Sequence, residues 1–177
     1  MIPSTAPVRE ADKIIAEILV AQLGIPAGNI MLENQKWEIP ETPGLYVRIG
    51  YVSGKVQGNT NYPLPTDAGM SEVQQLSMLY EIQIDLMSYD DSARVLKELA
   101  YMGLLAMASE QIQEKYSVQV ARNPMPFVNA SVLEETGRLN RYTTSIRLTQ
   151  LITYTKPDVE YYSDFTDAVP PETTAQE

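Results

Sequence analysis

Apolar residues recur at Ala11, Ile14, Ile15, Ile18 and Gln22/Leu23, the three-and-four spacing of a helix that buries one stripe. Ser4 and Thr5 can cap its start and Gly24 supplies its stop, so a first helix is predicted to run to about Leu23. Ile25 to Asn29 is turn chemistry, and the apolar run Ile30-Met31-Leu32 suits a short strand. From Leu45 the period falls to two: Leu45, Val47, Ile49 and Tyr51 alternate with Tyr46, Arg48, Gly50 and Val52, as in a half-buried strand. Residues 53–69, SGKVQGNTNYPLPTDAG, hold Gly54, Gly58, Pro63 and Pro65 but few core-type side chains. That composition predicts a long excursion between strands. The clearest alternation follows, with Leu76, Met78, Tyr80, Ile82, Ile84 and Leu86 on one side. Burial of six such side chains, each worth about 1.5–3 kcal/mol, would make this strand the spine of the core.

Asp90-Asp91-Ser92 has the chemistry of a helix cap. The stripe Val95, Leu96, Leu99, Ala100, Gly103, Ala106 and Met107 predicts one helix continuing to about Tyr116. VQVAR then alternates up to Arg122. Asn123-Pro124-Met125-Pro126 interrupts it before Phe127 and Val128, which reads as a bent or edge strand. From Arg138 to Thr155, Tyr142, Thr144, Ile146, Leu148, Ile152 and Tyr154 face one way and Arg141, Thr143, Ser145, Arg147 and Thr149 the other; Gln150 is the misfit. The order α-β-β-β-α-β-β, without regular βαβ units, predicts an α+β fold. Its mainly antiparallel sheet of about four to five strands carries two helices on one face and leaves the other open.

Composition narrows the function. The 177 residues suit one domain, expected over 1–165. Residues 166–177 are rich in Pro, Thr and acidic groups and poor in apolar ones, the makings of a disordered tail. Six carboxylates fall in the last twenty residues, with no Lys or Arg among them. His and Cys are absent, which removes disulfides, His/Cys zinc sites, thiol nucleophiles and imidazole-based triads. A net charge of −10 argues against nucleic acid and anionic membranes, and no apolar run approaches the ~20 residues that span a bilayer.

The remaining candidates have plain readings. Asp90/Asp91 and Glu134-Glu135 resemble paired carboxylates, but a helix start and a hairpin turn at Gly137 account for them. Gly50, Gly54 and Gly58 lack the Lys-Ser/Thr of a phosphate loop. Met70, Met78, Met87, Met102 and Met107 are expected to fill core space. Asn129-Ala130-Ser131 matches a glycosylation acceptor in form only. Arg138, Arg141 and Arg147, on the outward side of the last strand or at its start, form the densest basic group; pairing with carboxylates such as Glu81 or Asp85, or with another subunit, is favoured over nucleic-acid contact. No catalytic, metal or cofactor residue emerges, and the chain reads as a protein without enzymatic activity.

Two stretches, LYEIQIDLMSYDDSARVL and RLNRYTTSIRLTQLITYTKPDVEYY, resemble the tail-terminator (neck-terminator) proteins of contractile-tailed bacteriophages. The resemblance spans about residues 6–165 and contains no catalytic motif. It implies a structural virion protein of the tail neck, assembled in the host cytoplasm. Such a protein caps the finished tail as a hexameric ring, ends tube and sheath polymerisation, and joins the tail to the head connector. The implied partners are further copies of itself, tail tube and sheath proteins and a head-completion protein, with no cofactor, specific nucleic acid or membrane. Alternatives are a head-closure or tail-completion protein of the same neck, or a non-viral acidic dimer that binds a small ligand. Subunit contacts are expected on the excursion, at Lys55, Tyr62 and Met70, and on the outward side of the last strand, at Arg141 and Arg147.

Overall fold

The computed structural model describes residues 10–33, 38–40, 42–66, 69–122, 125–134 and 137–156. Its elements are α1 (Ala11–Leu23), a 3-10 turn (Ala27–Asn29), β1 (Ile30–Leu32), β2 (Tyr46–Thr66), β3 (Gly69–Ser88), α2 (Ser92–Leu104), α3 (Met107–Lys115), β4 (Val118–Val120), β5 (Val128–Asn129), β6 (Val132–Glu134) and β7 (Gly137–Lys156). The fold is mixed α and β, with a large, mostly antiparallel sheet. Only the β1–β2 pairing is parallel among the described strands. The sheet path is β1-β2-β3-β7-β4, and β5 and β6 share the outer edge of β7 with β4.

α1 forms as its spacing predicts. Ile14, Ile15, Ile18 and Leu19 are fully buried, and Gly24 ends the helix in the left-handed region at φ +63° while its amide donates to the Val20 carbonyl. The Ser4/Thr5 cap and the 166–177 tail lie outside the described residues. The stripe packs on one sheet face against Val47 and Ile49 of β2, Ile82, Ile84 and Leu86 of β3, and Ile146 and Leu148 of β7. β7 keeps its alternation without a break. Gln150, the expected misfit, is buried on the inward face beside Leu148 and opposite Met78.

The described strands number seven and not four to five, because β7 is edged by three short strands, β4, β5 and β6; three further expectations are corrected. Residues 53–66 are not a loop: they continue β2, and with β3 they form one hairpin paired from Tyr46↔Met87 to Thr66↔Gly69. Pairing with β3 satisfies one side of the backbone and the other faces outward as an edge, so the segment needs no core-type side chains to be ordered. Val52 and Gln57 are bulges that shift the register, and each moves the following side chains to the other face. A single alternation therefore cannot run through the strand. Pro63 and Pro65, two residues apart, aim their missing donors to one side, which an edge strand tolerates.

The single long helix is the second correction. It divides at Leu105-Ala106 into α2 and α3, and only one side of the expected stripe packs, with Leu96, Ala100 and Gly103. Ala93, Ala100, Gly103 and Leu104 are buried, whereas Val95, Leu99, Met102 and Met107 are exposed. Small residues win the packed face because α2 lies close to α1: a Cβ on Gly103 would stand 2.7 Å from Gln22 Cβ. Met102 and Met107 are thus not core methionines, although Met87 is. At the start of α2, Asp90 Oδ1 accepts from the Ser92 amide at 2.8 Å. The Ser92 side chain, and then its amide, hold the Asp90 carboxyl below its ordinary range.

Third, the face away from the helices is not wholly open. Met31, Tyr46, Met87 and Leu139 form a second small core there, with Ile39 and Tyr89 against it. Of the six β3 side chains expected in the main core, Ile82, Ile84 and Leu86 are fully buried, and Leu76, Met78 and Tyr80 only half. Tyr80 packs at the edge of the main core, and Leu76 and Met78 lie beyond it.

Candidate interaction surface

β2, β3 and β7 have 21, 20 and 20 residues, against roughly 5–6 for an ordinary strand. Their distal halves form a three-stranded arm. Cross-strand pairing joins Val56 to Met78 and Met78 to Gln150, then Asn59 to Leu76 and Leu76 to Ile152, out to Glu72 opposite Lys156. From Met87 at the base to Val73 near the tip, β3 spans about 45 Å at an ordinary strand rise.

On the helix side, the arm presents Tyr51, Val56, Leu76, Met78, Tyr80, Ile152 and Tyr154. Val56 is 58% exposed and Tyr154 60%. The Tyr51 and Tyr80 rings meet edge to face, with centroids 6.1 Å apart. They lie over Gly54, where a Cβ would stand 3.0 Å from Tyr80 Cδ1; the glycine is there to admit the rings. Burial, and then the neighbouring Tyr51, push the Tyr80 phenol above its ordinary range, so it stays a neutral hydroxyl.

The register places four of the five expected contact residues on the opposite face. Lys55 faces Leu79, Tyr62 faces Val73, Arg147 faces Glu81 and Arg141 faces Met87. Lys55 and Arg147 come within two rungs of each other; Tyr62 lies toward the tip and Arg141 at the base. Met70, opposite Pro65, is half-buried on the helix side. Tyr62 is exposed, and so are Lys55 and Arg147.

Arg141 is already engaged. Its Nη2 donates to Asp85 Oδ2 at 2.7 Å, while Asp85 Oδ1 accepts from Thr143 Oγ1 at 2.7 Å and Gln83 Nε2 at 3.0 Å. Asp85 is 1% exposed. The expected carboxylate partner is therefore present, but it is a buried strut and not a solvated charge. Side chains of Glu134, Glu135 and Arg138 lie outside the described residues.

Polar residues that pattern reading passed over hold α3 to the sheet edge. Gln113 is buried; its Oε1 accepts from the Val120 amide at 2.8 Å and its Nε2 donates to Ser109 Oγ at 2.9 Å. Nothing in the spacing marks it, since a glutamine in a helix reads as surface. A cleft of about 610 Å³ opens beside it, lined by Glu110, Glu114, Val118, Val120 and Arg122. Asn129-Ala130-Ser131 has a local explanation: Asn129 Oδ1 accepts from the Ser131 amide at 3.0 Å and from its hydroxyl at 2.6 Å, closing an Asx turn. Among the described residues no cluster of three or more acidic side chains is placed to hold a metal ion, and no helix is long and apolar enough to cross a membrane. No family model matches the chain, and no curated protein does.

Proposed function

We propose that this chain is a non-enzymatic ring subunit of a contractile phage tail neck, in the tail-terminator role that its resemblance implies. Six copies would close on the end of a finished tail, stop tube and sheath growth, and receive the head connector. The observation that carries this reading is the three-stranded arm. It extends past the helices with an apolar face that no described element covers, a use of long strands that a self-contained monomer has no reason to make. Head closure or tail completion at the same neck would use the same device in another layer.

Light scattering after size exclusion, with negative-stain microscopy, tests the reading. Closed rings, in multiples of the 19.8 kDa subunit, are expected at high micromolar concentration. Excising residues 58–77, whose ends face each other across the hairpin, is expected to leave a folded monomer with its helical circular dichroism intact. A full-length chain that stops at a symmetric dimer, or an armless chain that still closes rings, would overturn the reading.

A further inference from the structure

Two apolar surfaces of this chain lack a cover among the described residues, and they differ in kind. One is the helix-side face of the arm. The other is the solvent side of α2, where Val95, Leu99 and Met102 follow i, i+4, i+7 spacing and are 64%, 44% and 64% exposed; Met107, opening α3, is 81% exposed. We infer that these surfaces pair between copies: α2 of one subunit packs on the helix-side face of the next subunit's arm, around Val56, Met78 and Ile152.

Three observations support a second copy as the occupant. The face on the arm is the distal continuation of the one that α1 covers near the base with Ile14, Ile15 and Ile18, so the missing cover is an aliphatic helix stripe. α2 holds such a stripe unused. Exposure suits it too: Val95, Leu99, Met102 and Met107 on one side and Val56 and Tyr154 on the other are left open, and a ring subunit makes that contact twice. Charge permits it despite the net −10. Beside the stripe, Arg94 pairs with Asp91 at 3.0 Å and Lys97 pairs with Glu98, while on the arm Glu72 stands opposite Lys156. Because a helix stripe meets a sheet face, the contact is heterologous and runs head to tail, as a ring requires.

The inference rests on the ring reading, and the absence of native cysteine makes it directly testable. Met102→Cys and Val56→Cys are prepared separately, mixed dilute, concentrated and treated with a short bismaleimide. A covalent dimer is expected in the mixture at least about tenfold above either variant alone, because each single variant carries one half of a heterologous pair. Val95→Glu with Met102→Glu should keep the fold, since both sites are exposed, and weaken assembly at least about a hundredfold. Rings from the unsubstituted chain without the mixed cross-link, or equal cross-linking of each variant alone, would overturn this pairing and leave the ring reading standing. If the unsubstituted chain never exceeds a dimer, both fall.

Discussion

Asp85 shows how a residue's neighbours decide what its charge does. It stands among positions that alternate outward, Glu81, Gln83 and Asp85, and pattern alone makes all three solvated. The sheet instead buries Asp85 beneath Arg141, Thr143 and Gln83, which removes it from the carboxylates available to any inner ring surface. Opposite charges on neighbouring strands were legible in the sequence; the depth of burial was not, because it depends on the packing of long side chains over the carboxylate. Asp85→Ala leaves the Thr143 hydroxyl, the Gln83 amide and the half-buried Arg141 guanidinium without their shared acceptor. A loss of about 1–3 kcal/mol in urea unfolding is expected. Arg147→Ala, exposed opposite Glu81, should change stability by less than about 0.5 kcal/mol. A loss at Asp85 no larger than that at Arg147 would show that the buried pair is not a strut.

At the scale of elements, the hairpin and the paired helices went opposite ways. Where one face packs against helices, periodicity sufficed: α1, the proximal part of β3 and the whole of β7 lie where their alternation places them. The distal half of β2 escaped it, since two bulges reset its facing and glycines and prolines gave it the composition of a loop. The apolar stripe expected on α2 was broader than the face that packs, and close approach to α1 selected its side with small residues. Gly103→Ala tests that selection. Helix propensity alone would stabilise the variant by about 1 kcal/mol, but the new methyl meets Gln22 Cβ, near the backbone of α1, and overpacking costs about 1–3 kcal/mol. Net destabilisation is expected in chemical denaturation; a stabilised variant would mean that the two helices separate freely.

For the whole molecule, the net charge of −10 would bear on the lumen of the ring proposed above. A genome passing through an acidic annulus meets repulsion that needs no specific contact and is screened over about 8 Å at physiological ionic strength. No binding of duplex DNA is expected in gel-shift titrations at low salt, where attraction would be strongest. Tight, salt-sensitive binding would show that Lys55 and Arg147 form a nucleic-acid surface and would sink the lumen argument. The sequence by itself determined the helix that starts the core, the two strongest strands, their antiparallel habit and the absence of thiol and imidazole chemistry, because each follows from local spacing or composition. Tertiary structure decided that residues 53–66 are a strand, that Asp85 is buried, and that α2 turns Val95, Leu99 and Met102 to solvent. Those outcomes depend on which backbone lies alongside and how closely it approaches, and no run of local positions encodes either.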